Sequence, residues 1–181
     1  MEIKIIQLEQ DEHIIAIIRK HWFSVIIQLC VTGFLALVPL FGYPFLKPFL
    51  FPDITQQVFY ILLYFYFVYL LFLWIIAFIQ WTDYYLDMWI LTNKRLVDIE
   101  QISLFHREVS SLRLEKIQDV KVHIQGFLDT MLKMGTVYVQ TAGVEQEFRI
   151  PFADNPLLIK QIIMKAYTET AEKIKTVRIE Q

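Results

Sequence analysis

A single cysteine, Cys30, excludes a disulfide framework and any multi-thiolate metal site within one copy of the chain. It lies in an apolar stretch and reads as a small membrane-facing residue. Positive charge is not in excess either: Lys and Arg total 17 against 19 Asp and Glu, so the basic field that accompanies nucleic-acid binding is missing. None of the 5 glycines clusters into a phosphate cradle, which removes the common nucleotide-binding loops. His13, His21, His106 and His123 show no ligand spacing, so no metal is expected. Ser103, Ser110 and Ser111 lack a nucleophile elbow and read as surface serines. No catalytic residue, cofactor or small-molecule substrate is expected.

The most informative absence is charge between Val58 and Ile79, VFYILLYFYFVYLLFLWIIAFI. About 22 residues make a helix of roughly 33 Å, enough to cross a hydrocarbon core of about 30 Å. A water-soluble surface helix is not apolar on every face for that long. We assign residues 58–79 to a transmembrane helix. Phe23 to Gly42 is a first, less purely apolar span (residues 23–42), preceded by the cationic and aromatic cluster Arg19, Lys20, His21 and Trp22. Acidic residues before the apolar run, and a second span after it, fit an anchor better than a cleavable signal.

Within the first span Ser24, Gln28 and Thr32 recur at one-turn spacing. Small and polar side chains in lipid favour helix–helix contact. Tyr60, Tyr64 and Tyr69 of the second span carry hydroxyls that need partners when buried, so the two sets are expected to meet in a helical hairpin or across a homo-oligomer. Residues 43–57, with Pro44, Pro48 and Pro52, read as a short external loop in which proline ends the helix. Arg19, Lys20, Lys94 and Arg95 flank the spans on the other side. The positive-inside bias then places both termini in the cytoplasm of a multi-pass plasma-membrane protein.

Residues 1–22 read as a cytoplasmic or interfacial segment, with Asp11 as a helix N-cap before Glu12 and His13. Beyond Trp81 the hydrophobic period becomes two. Tyr84, Leu86, Met88 and Ile90 alternate, Thr92-Asn93-Lys94 turns, and Val97 and Ile99 alternate again, which describes a hairpin. His106–Leu112, Val120–Ile124, Thr136–Thr141 and Glu145–Ile150 supply further strands, the last two joined by an Ala142-Gly143 turn. Asp154-Asn155-Pro156 opens a helix whose stripe is Leu158, Ile159, Ile162, Ile163, Ala166 and Tyr167. Residues 82–170 thus form a small antiparallel sandwich or barrel plugged by a helix, and 171–181 a polar tail.

The succession ILTNKRLVDIEQ, HREVSSLRLEKIQDVKV, GFLDTMLKMGTVYVQTAG and PFADNP resembles the bacterial pleckstrin-homology-like (PH-like) domain family, whose membrane-anchored members place two spans ahead of the domain. The resemblance implies two roughly orthogonal antiparallel sheets capped by a C-terminal helix. Thr92, Asn93, Lys94 and Arg95 match the first hairpin turn, Leu114 to Gln118 the lead into the next strand, and Gly135 and Thr136 a strand-opening glycine. The turn at Ile102 and Ser103 lacks the glycine often seen there. Fold similarity brings no activity with it.

Two roles compete. Lys94 and Arg95 are the candidate head-group contacts for membrane lipids, as in an anionic-lipid sensor, although Asp98 and Glu100 follow closely. Phe127, Leu128, Met131 and Leu132 close one end of the core or form a docking surface for a protein partner or a second copy. We expect a non-enzymatic, membrane-anchored interaction or assembly scaffold, with the lipid sensor as the alternative.

Overall fold

The computed structural model describes residues 7–50, 55–103, 106–141 and 148–179. The chain forms two units, Trp22–Tyr85 and a second made of Met1–His21 with Leu86–Gln181.

The first unit is a pair of helices, α1 (Trp22–Leu50) and α2 (Gln56–Leu86). Mean hydropathy is 2.2 over Trp22–Phe45 and 2.5 over Gln56–Leu86, and both are long and apolar enough to cross a membrane. Most of their bulky side chains, among them Phe34, Phe41, Phe72 and Trp74, face outward. The helices are tied by polar groups. Pro39 has no N–H, which leaves the Leu35 carbonyl four residues earlier without its helical donor. The Tyr69 hydroxyl donates to that oxygen at 2.9 Å, and Tyr66 donates to the neighbouring Ala36 carbonyl at 3.1 Å. The Thr32 hydroxyl is shared between the Gln28 carbonyl at 2.9 Å and Gln80 Oε1 at 3.1 Å.

The proline-broken loop expected from residue 43 is corrected: α1 runs through Pro44 and Pro48 to Leu50. Each proline removes one helical bond, whereas an unwound segment in an apolar setting strips many backbone groups of partners. Likewise α2 continues to Leu86, so Tyr84 and Leu86 are helical rather than the start of a strand. The Thr82 hydroxyl donates to the Phe78 carbonyl one turn back, as helical threonines do.

The second unit carries two antiparallel sheets. Strands β1 (Ile14–Ile18), β2 (Met88–Thr92), β3 (Arg95–Ser103) and β4 (His106–Arg113) form one in the order β1-β2-β3-β4. A 3-10 turn, Leu114–Lys116, leads to β5 (Ile117–His123), β6 (Met134–Thr141) and β7 (Phe148–Asp154), ordered β5-β6-β7. A short helix α3 (Phe127–Leu132) separates β5 from β6, and α4 (Pro156–Ile179) follows β7.

Asp11 does not cap a helix. It sits in a turn with φ 63°, and the β-branched run Ile14–Ile18 pairs with β2, Ile18 opposite Trp89. The segment before the two helices therefore contributes a strand to the sheet that follows them. Beyond β1, Lys20 bridges to Ala153, and the His21 N–H donates to the Phe152 carbonyl at 2.7 Å.

Ile18, Leu91, Leu96 and Leu112 meet Val120, Val137, Val139 and Ile150 between the sheets, and Ile159, Ile163 and Ala166 of α4 complete that core. Leu158, expected in the α4 stripe, points outward, 48% exposed. The polar tail expected from residue 171 continues the helix to Ile179, in keeping with its Ala, Glu and Lys content. Gly135 is obligatory on steric grounds: a Cβ there would lie 2.7 Å from the His123 carbonyl oxygen. The Ala142-Gly143 turn and the beginning of its partner strand lie outside the described residues, as do 104–105 beside the turn that lacks a glycine and most of 1–8.

Candidate binding surfaces

The hairpin turn between β2 and β3 is a polar clamp on the chain's own N-terminal segment. Arg95 grips Glu12 with both arms, Nε to Oε1 at 2.9 Å and an Nη to Oε2 at 3.0 Å, and also donates to the Gln7 carbonyl. Lys94 Nζ donates to the Gln10 carbonyl at 2.6 Å and pairs with Glu9 at 3.3 Å. Asn93 accepts from the His13 N–H and donates to the Asp11 carbonyl. The Thr92 hydroxyl lies 2.8 Å from Glu12 Oε1 and accepts from the N–H of Arg95. The Glu12 side chain is fully buried. Burial alone would push its pKa up, but hydrogen bonds from Arg95, the Glu9 N–H and Thr92 outweigh that and take it down to about 2. The same carboxylate raises the pKa of Arg95. The two proposed head-group residues thus face carboxylates of their own chain.

The apolar segment after β5 is built differently. Gly126, at φ 104°, turns the chain into α3, and Lys133, at φ 54°, ends it in the left-handed region. Phe127 and Met131, one turn apart on the same side, are 79% and 68% exposed, and Leu128 is exposed as well. Leu132 alone of the four is half-buried.

In the helical unit the sequence-selected residues separate into two groups. Thr32 and Tyr69 make inter-helix bonds, and Ser24 is buried. The Gln28 side chain is exposed, Tyr60 accepts from Gln56 of its own helix, and Tyr64 stacks edge-on against Phe65. Tyr66 and Gln80 join the contact without having been singled out. The proline signal that explains Tyr69 was readable at Pro39, four residues after the carbonyl it frees.

One further group went unrecognised in the sequence. At the end of the inter-sheet space away from the β2–β3 turn, Trp89, Asp98, Glu100 and Glu108 line a cavity of about 490 Å³ with Phe148 and Arg149 of β7. Val97 and Ile99 alternate as the apolar face of β3, and Asp98 and Glu100 lie on its other face.

The model of the family described as bacterial PH domain matches residues 23–161 of the chain. Among solved structures, a protein with a pleckstrin-homology domain from Shewanella loihica is 19% identical, with a TM-score of 0.38 over 45% of this chain and 70% of that one. A pleckstrin homology domain from Shewanella amazonensis is 18% identical, with a TM-score of 0.35 over 42% of this chain and 63% of that one. No curated protein matches.

Proposed function

The chain belongs to the bacterial PH domain family, and from that premise we propose that it is a non-enzymatic interaction module held at a membrane by α1 and α2. The two helices serve as a multi-pass anchor in the plasma membrane with both termini on the cytoplasmic side. The strand unit acts as a protein-docking or assembly scaffold there.

The observation that carries this reading is the outward apolar face of α3. Phe127 and Met131 lie open on a six-residue helix whose residues take no part in the buried core. Exposing large side chains costs solubility, and a contiguous apolar patch on a small domain supports a role in contact with another surface. The sensor alternative draws less support, because a lipid phosphate at the β2–β3 turn would have to compete with Glu9 and Glu12 for Lys94 and Arg95.

Photo-crosslinking from position 127 of the full chain in native membranes tests the proposal. Protein adducts that disappear with Met131→Ser are expected. Adducts to lipid alone would replace the scaffold with the sensor.

A further inference from the structure

The first sheet presents the inter-sheet space with two different surfaces along one face. Near the β2–β3 turn that face is Leu91, Leu96 and Leu112. Two residues further along β3 it becomes Asp98 and then Glu100, with Ser110 opposite Asp98 and Glu108 opposite Glu100. Two carboxylates placed directly across a strand pair repel. Across the space, β7 contributes Phe148 and Arg149 to the wall. Arg149 also lies over the Tyr138 ring, 5.8 Å from its centre.

One stretch of this mouth's wall holds polar atoms without partners among the described residues. Trp89 is only 3% exposed, yet its indole Nε1 has no hydrogen-bond partner among the described residues. Asp98, its direct partner across β2 and β3, has a buried Oδ1 in the same condition. Burial, with Glu100 and Asp87, raises the pKa of Asp98, and the indole N–H and the Lys20 ammonium offset this only in part, leaving it at about 6. The nearby ammonium of Lys20 is held by Asp87, which also accepts from the Gln101 N–H. This donor and acceptor face each other across β2 and β3 without completing a hydrogen bond, which is costly at buried positions.

We infer that this mouth binds the guanidinium or ammonium group of a basic side chain on a partner segment. Asp98, Glu100 and Glu108 meet the cation. Trp89 and Phe148 flank its apolar stem, where aromatic rings favour a nearby positive charge. An anionic ligand would face the three carboxylates, while the two cations of the lining, Lys20 and Arg149, are engaged by Asp87 and by the Tyr138 ring. The inference rests on the scaffold reading and names the chemistry of the partner.

The test titrates acetyl-arginine amide into the full chain in nanodiscs of zwitterionic lipid at fixed ionic strength. Binding is followed by the indole N–H resonance that Trp89→Phe removes. Saturable shifts are expected, weakened about tenfold or more by Asp98→Asn and by Glu108→Gln, and unchanged by Lys94→Ala. Glu108 is exposed, so its variant tests the site without touching the core. Acetyl-norleucine amide, with a similar stem and no charge, should not bind. No saturable shift, or equal affinity in both carboxylate variants, overturns the site. Agmatine binding as tightly as acetyl-arginine amide reassigns it to a free amine and overturns the partner segment. Protein crosslinks from position 127 that persist unchanged in Asp98→Asn, Glu108→Gln overturn the inference while leaving the scaffold standing. Loss of those crosslinks in the unaltered chain removes the scaffold alone.

Discussion

Glu12, buried, and Asp98, half-buried, are acids of one folded unit, and they are pushed in opposite directions. Glu12 is held at about 2, Asp98 at about 6. Burial acts on both in the same sense, raising the pKa. The difference lies in what each carboxylate meets. Glu12 receives a two-armed arginine, a threonine hydroxyl and a backbone N–H. Asp98 meets an indole N–H that completes no hydrogen bond, with Glu100 and Asp87 as neighbours. The comparison separates a polar group that finishes a fold from one that awaits an occupant. One carboxylate anchors β1 and its lead-in to the sheet; the other lines an opening.

Removing the partner of the finished group should have the largest effect. Arg95→Ala leaves the buried Glu12 carboxylate without its counter-charge, with only the Thr92 hydroxyl and the Glu9 N–H as donors, a loss of about 3–5 kcal/mol in denaturant unfolding of the full chain in detergent. A loss below about 1 kcal/mol would mean that water reaches Glu12 and that the contrast is one of degree. The pH dependence has a definite sign. Glu12 ionises more readily folded than unfolded, so its contribution is present above about 4.5 and is lost as pH falls toward 2.

Asp98 should behave in reverse, with a smaller amplitude. Its folded pKa lies above the ordinary 3.8, so the folded state binds the extra proton and stability falls as pH rises from about 4 to 6. The groups around it are Trp89, Ser110, Glu100, Glu108, Asp87, Lys20 and Arg149. Asp98→Asn should therefore stabilise the chain above pH 6, by about 1–2 kcal/mol after solvent screening, and leave it unchanged near pH 4. Melting curves of the two proteins at pH 4 and pH 7.5 check this. A variant that loses stability at pH 7.5 would show that Asp98 is already partnered and that the two acids are alike.

What the sequence revealed divides along the same line. Turn chemistry is local, so Thr92-Asn93-Lys94 and Asp154-Asn155-Pro156 were legible, as was the uncharged run at the centre of α2. The role of β1 was not. Its partner across the sheet, Ile14 to Thr92, is separated from it by both long helices, and nothing near Asp11 signals that pairing. The Lys94 and Arg95 cluster was legible as charge, but its engagement with Glu9 and Glu12 depends on the same distant contact. The acidic mouth was illegible for another reason. Alternation shows that Asp98 and Glu100 face away from Val97 and Ile99, but only Phe148, Arg149 and Pro151 of the second sheet make that side the wall of a cavity.

The helical unit offers the smallest and cleanest version of the contrast, since its completed group is a single backbone carbonyl. Leu35 lost its donor to Pro39 and regained one from Tyr69. Tyr69→Phe should cost about 1 kcal/mol in detergent, the net worth of a hydrogen bond whose loss strands an acceptor. Pro39→Ala restores an N–H four residues after Leu35, so the tyrosine becomes redundant at that oxygen. In the Pro39→Ala background, Tyr69→Phe should then cost less than about 0.5 kcal/mol, and the cycle isolates the coupling between a proline and a hydroxyl on different helices. Equal costs in both backgrounds would show that Tyr69 holds the helices by packing instead. The completed carbonyl would then cease to parallel Glu12, and the contrast with Asp98 would be confined to the strand unit.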